Sequence, residues 1–177
     1  YDKFKDIKSL ANLNNSLQLP SVTGIVNDKK GNIWIGMDGG GIDIYDPNKK
    51  NIVHLKDPNN KLVSQLNAGD IVVLFMDSND NLWVGTWNSG IFYLPNSAKA
   101  FINYNTSNTN GGLKSNRIMS FSEDSKGVIW IGSYVEGLHS FDPGSKSFNH
   151  HNNTIFDDPS PGQGAMRIVL VDKNDTI

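Results

Sequence analysis

Three short segments of this chain hold the side chains best suited to recognising a small polar molecule. They read Met37-Asp38-Gly39-Gly40, Thr86-Trp87-Asn88-Ser89 and Ser133-Tyr134-Val135-Glu136. All three occupy the same place in a repeated unit. The small glycine turn of the first copy becomes Trp-Asn in the second and Tyr-Val-Glu in the third. Aromatic rings beside amides and carboxylates suit a sugar, which offers apolar C–H faces and hydroxyl edges. Asp38, Trp87, Asn88, Tyr134 and Glu136 are therefore candidate ligand contacts, although ordinary drift of surface loops would give the same differences. A second set, Ser21, Asp70, Arg117 and Ala165, stands just ahead of an apolar run in each copy. Asp70 and Arg117 either join the candidate site or pair with each other across neighbouring units.

Other chemistry is less well supported. Asp77-Ser78-Asn79-Asp80-Asn81 has the acidic spacing of a calcium loop but lacks its downstream bidentate Glu. His150 and His151 are adjacent in an expected strand, so they point to opposite faces and are poor joint ligands. The chain has no cysteine, which removes disulfides and thiolate metal sites. No hydrolase acid pair or activated nucleophile is visible. The sialidase box S-x-D-x-G-x-x-W fails, because the Asp here stands one residue earlier relative to the Trp. His54 and His139 fall within expected strands, away from the loops. We expect no catalytic residue, metal or cofactor, and thus no enzyme. A net charge of −2 gives no reason to expect nucleic acid or anionic lipid as a partner. No apolar run approaches the roughly 18 residues of a membrane span.

The elements that must position these loops are set by the repeat. The string D-x-x-[GD]-x-[IL]-W-[IV]-G occurs at 28–36, 77–85 and 124–132, and begins again at Asp172. The copies superpose without gaps from that Asp through Trp34, Trp83 and Trp130 to Ile52, Phe101 and Phe148. All length variation falls in the connection that follows. Each unit reads as four short strands: an apolar run before the Asp, the Trp strand, a strand after the glycines, and one beginning at Ile52, Phe101 or Phe148. In the first two strands both faces are apolar, which predicts burial on both sides. Asp-x-x-Gly reads as a hairpin with its Gly left-handed, a conformation Asp80 and Asp175 tolerate. The Trp and Asp residues are thus scaffold.

Four-stranded units at a period of about 48 residues are the blades of a β-propeller. With 37% hydrophobic residues and 17 glycines in 177, the composition suits short strands and many turns. The expected division is an outer strand of a preceding blade at 1–10, blades at 11–58, 59–107 and 108–154, and the first strands of a truncated fourth blade at 155–177. That is about three and a half blades of a larger ring, expected to be completed by the remaining blades of a parent propeller or by another copy of the chain.

The pattern resembles the two-component regulator propeller repeat, L-x-x-N-x-V-x-x-I-x-x-D-x-x-G-x-[IL]-W-[IV]-G-T-x-x-x-G-[IL]. It appears here from Leu113 and Asn116 through Asp124, Gly127, Trp130 and Gly132 to Gly137 and Leu138; Leu66–Ile91 and Leu17–Ile42 match nearly as well. The resemblance implies a seven-bladed propeller in the periplasmic sensor region of a Bacteroides-type hybrid two-component histidine kinase. It further implies an oligosaccharide from glycan breakdown as the ligand, with the signal passed to a kinase elsewhere in the parent protein. A propeller lyase or hydrolase acting on polysaccharide, and a pure protein-interaction scaffold, are the alternatives.

Overall fold

A computed structural model describes residues 21–57, 59–98, 100–151 and 164–177. The expectation of an outer strand at 1–10 lies outside them. The first sheet contains β1 (Val22–Asn27), β2 (Ile33–Met37), β3 (Gly41–Asp46) and β4 (Asn51–His54). The second contains β5 (Ile71–Met76), β6 (Leu82–Thr86), β7 (Ile91–Leu94) and β8 (Ile102–Tyr104). The third contains β9 (Ile118–Glu123), β10 (Ile129–Ser133), β11 (Leu138–Asp142) and β12 (Ser147–His151). Each sheet is antiparallel, with its strands side by side in chain order. Neighbouring sheets meet along their first strands, β1 against β5 and β5 against β9. The chain is therefore a fan of propeller blades.

The turn chemistry repeats in detail. Asp28 Oδ1 accepts from the Lys30 and Asn32 backbone N–H groups, and Oδ2 accepts from Asn32 Nδ2 and from Trp34 Nε1 at 3.1 Å. Asp77 makes the corresponding four bonds, reaching Trp83 Nε1 at 2.9 Å. Asp124 reaches Trp130 Nε1 at 3.0 Å. Burial alone would raise the pKa of Asp28, but the bonds from Asn32, Trp34 and Lys30 outweigh it and hold the carboxyl below its ordinary range. The two scaffold residues of each repeat are thus one unit, in which the Asp supplies the acceptor for an indole that is buried at Trp83 and half-buried at Trp34 and Trp130.

Gly31 and Gly127 are left-handed at the fourth turn position, and Asp80 and Asp175 adopt the same conformation with φ of 65° and 59°. These two aspartates link blades. The Lys29 N–H donates to Asp80 Oδ1 at 2.9 Å, and the Ser125 N–H to Asp175 Oδ1 at 2.9 Å. Where glycine stands instead, at Gly127, Glu123 one position ahead of the turn Asp takes over and accepts from Ser78 N–H at 2.7 Å.

Apolar side chains fill the seams between sheets. One cluster joins Ile42 to Leu74, Leu82, Val84 and Phe92; the next joins Trp83 and Ile91 to Ile118, Phe121, Ile131 and Phe141. Trp83 is 1% exposed, with the Tyr93 ring 4.3 Å and the Phe141 ring 5.1 Å away. β6 is buried along its whole length. The two-sided burial expected of every first strand does not hold in β1, where Ile25 is 64% exposed, because no described residue packs on that outer face.

Two features depart from the sequence reading. The variable connection after β4 contains a helix, α1 (Lys61–Ala68), capped by the Asn60 side chain accepting from Leu62 and Val63 N–H. Val63 and Leu66 bury against the first seam. Two buried anchors in eight residues are too few to announce a helix by periodicity. Residues 164–177 form no strand pairing. They run beside β9, with Val169 and Val171 N–H donating to Ser120 Oγ and Ser122 Oγ at 3.0 Å, and they close the Asp172 turn onto Thr176.

Candidate functional site

The candidate loops follow β2, β6 and β10, opposite the Asp–Trp turns. One backbone hydrogen bond repeats in each blade and joins them to the mouth of the first strand. Asp38 N–H donates to Ser21 O at 3.0 Å, Trp87 N–H to Asp70 O at 3.0 Å, and Tyr134 N–H to Arg117 O at 2.9 Å. The two sets of candidate residues therefore share one end of the fan. Register shifts between Val22 and Gly24, Ile71 and Val73, and Gly132 and Ser133 mark a bulge at this end in every sheet. Such bulges turn strand ends and re-aim their side chains.

Loop shape is fixed from beneath. Thr86 Oγ1 donates to Gly90 O at 2.8 Å and accepts from Ser89 N–H at 2.9 Å. Ser133 Oγ donates to the Val135 and Gly137 carbonyls. Gly90 has φ of 74°, and a Cβ there would lie 2.2 Å from the Tyr104 carbonyl oxygen, so only glycine closes this turn. Glu136 holds φ of 73° without that freedom.

On this frame the aromatic candidates meet. The Trp87 and Tyr134 rings lie 5.1 Å apart, inclined at 51°. The Arg117 guanidinium carbon is 5.5 Å from the Trp87 ring centre, within cation–π range. Among the described residues Arg117 forms no ion pair with Asp70, so of the two readings of that charge pair, mutual pairing does not occur. Asp38 and Asp70 face each other in an isolated β-bridge between the first two blades. With Thr23, Ile71, Val72 and Trp87 they line a shallow depression of about 410 Å³. Asn88 and Glu136 are exposed on the same loops. The backbone of Glu136 serves the outer strand, its carbonyl accepting from His150 Nε2 at 2.8 Å.

Sequence reasoning missed Arg167. Its guanidinium carbon lies 5.9 Å from the Tyr134 ring centre, extending the stack to Arg117–Trp87–Tyr134–Arg167. It occupies a first-strand position that is Thr23, Val72 and Met119 in the other copies, and that break from neutral residues was the available signal.

The histidines stand elsewhere. His54 Nδ1 lies 2.5 Å from Asp43 Oδ1 on β4 and β3. His139 on β11 is fully buried and accepts from Lys114 N–H at Nε2; burial above all, then His150, lowers its pKa to about 4, so the ring is neutral. His150 packs on His139 while His151 packs on Trp130, on opposite faces of β12. Among the described residues no three His, Asp or Glu side chains gather to hold a metal, and no helix is long and apolar enough to cross a membrane.

The family profile described as "Two component regulator propeller" matches residues 16–39, 65–88 and 112–135. Among solved structures, the chain is similar to the extracellular domain of a putative hybrid two component system from B. thetaiotaomicron. The identity is 27% and the TM-score 0.62, over 76% of this chain and 17% of that one. A second such domain from the same organism is 22% identical with TM-score 0.57, over 75% of this chain and 16% of that one. Virginiamycin B lyase from Staphylococcus aureus is 13% identical with TM-score 0.61, over 88% of this chain and 47% of that one. At these identities the second domain and the lyase show the fold alone. The chain spans less than a fifth of the length of either extracellular domain. No curated protein matches it.

Proposed function

Since this chain is built of two-component regulator propeller repeats, we propose that it is part of the extracytoplasmic, ligand-sensing propeller of a hybrid two-component regulator. On this reading it is non-catalytic, and the remaining blades of a seven-bladed ring belong to the parent protein. The observation that carries the reading is the Trp87–Tyr134 pair, 5.1 Å apart on loops that differ in every blade above a scaffold that does not. Asp38, Asp70 and Asn88 supply acceptors and donors beside the rings, and an oligosaccharide released from a larger glycan is the ligand this set suits. Binding would signal by favouring one arrangement of the receptor over another, to the extent that its affinities for the two differ.

Calorimetry and tryptophan fluorescence with a panel of glycan breakdown products on the whole extracellular region test this. Saturable binding without product formation, weakened by Trp87→Ala, is the expected result. Turnover of a panel member would move the assignment to a propeller lyase or hydrolase, for which the fold offers a precedent. Absence of binding across the panel would leave a protein-interaction scaffold.

A further inference from the structure

We propose that the saccharide taken by this face is acidic, carrying a carboxylate or sulfate that Arg117 and Arg167 receive. The inference rests on the preceding reading that the Trp87–Tyr134 face binds a saccharide, and adds the charge class of that ligand. Arg117 and Arg167 come from successive first-strand segments, and each lies against one ring of the aromatic pair. Both are exposed, and neither has a carboxylate partner among the described residues. Each guanidinium carbon lies within cation–π range of its ring, and the guanidinium N–H groups stay available for an incoming anion. A guanidinium fork binds carboxylate or sulfate oxygens in pairs and loses less freedom when it already rests near a ring.

The acidic side chains lie towards the other side of the same end. Asp38 and Asp70 bridge the first two blades and line the depression that Trp87 closes. Glu136 adds one exposed carboxylate on the third blade's loop, but the two guanidinium groups on the third blade and beyond outnumber it. The face is therefore graded from carboxylates at the first two blades towards net positive charge. A neutral sugar gains nothing from this gradient. An acidic one is drawn to one orientation, its anionic group at the arginines and its hydroxyl edges towards Asp38 and Asp70, which accept hydrogen bonds from them.

The test uses the whole extracellular region and pairs of uronate oligosaccharides, each with its methyl ester, so that members of a pair differ only in the anionic charge and one methyl group. The free acid of at least one pair is expected to bind about tenfold or more tightly than its ester, and to weaken as sodium chloride rises. Arg117→Ala and Arg167→Ala should each remove most of that preference and leave ester binding in place, whereas Arg117→Lys should retain part of it. Equal affinity for acid and ester, or a preference that neither arginine variant changes, would overturn the acidic class while leaving a saccharide site. Binding of neutral oligosaccharides but of no uronate and no sulfated oligosaccharide would do the same. If inorganic sulfate competes as well as the uronate, the site recognises a bare anion and the saccharide part is wrong. Failure of every saccharide, neutral and acidic, would remove the underlying reading itself.

Discussion

At the hairpin end of each sheet, Asp28, Asp77 and Asp124 perform one task in three copies: each closes a turn and accepts from the indole six residues on. At the other end the loops share the repeated backbone N–H bond to the mouth of the first strand. In two copies a Thr86 or Ser133 hydroxyl also closes the turn from beneath, while the side chains at the tips differ. Their side chains run from Asp38 through Trp87 to Tyr134. The contrast separates the supporting end from the end proposed for recognition. Where side chains satisfy buried polar groups, substitution is costly and the copies agree. Where the backbone satisfies itself, the side chains are released for other contacts.

The sharpest way to break this comparison is to remove the supporting indole. Trp83→Ala takes out a ring packed on Tyr93, Phe121 and Phe141 and should destabilise the fold by about 4 kcal/mol, read as a fall in denaturant midpoint. A loss below about 1 kcal/mol would mean that the seam is not held as described.

Acid tests the interior between the two ends. His139 titrates near 6.5 when unfolded and near 4 when folded, so the unfolded chain binds more protons between those values. Stability is complete above about pH 6.5 and falls by about 3 kcal/mol as pH drops towards 4. His151, lowered chiefly by burial, adds in the same direction. His139→Gln, whose amide oxygen can still accept from Lys114 N–H, should flatten the slope of melting temperature against pH in that window.

A smaller change is expected from Asp77→Ala, which strands the Asn79 and Asn81 N–H groups and the buried Trp83 indole N–H. The expected loss is about 2 kcal/mol. Asp77→Asn, which keeps an acceptor oxygen, should lose less. The variable end should respond least. Trp87→Ala and Tyr134→Ala are expected to move stability by no more than about 1 kcal/mol, the worth of a partly exposed aromatic pair, while the proposed ligand binding weakens. If Trp87→Ala destabilises as much as Trp83→Ala, the distinction between the two ends fails.

Much of the scaffold was legible in the residues. The spacing of Asp, Gly and Trp gave the strands and the hairpins, because turn chemistry and strand alternation are local and repeat at fixed offsets. Asp80 and Asp175 read only as tolerant of a left-handed turn. Their bonds to Lys29 and Ser125 of the preceding blade join residues some fifty positions apart, beyond the reach of local pattern. Helix α1 escaped notice because it is short and anchored by few side chains.

The candidate site divides the same way. Sequence alone determined that the loops at 37–40, 86–89 and 133–136 are equivalent positions occupied by unlike side chains, since a gapless repeat fixes which residues correspond. Only the tertiary structure decided that Trp87 meets Tyr134, that Arg117 lies on an indole and not against Asp70, and that Arg167 completes the stack. Those contacts depend on how one blade turns relative to the next. That rotation is set by packing in the seams, a sum over many distant residues that no single segment encodes.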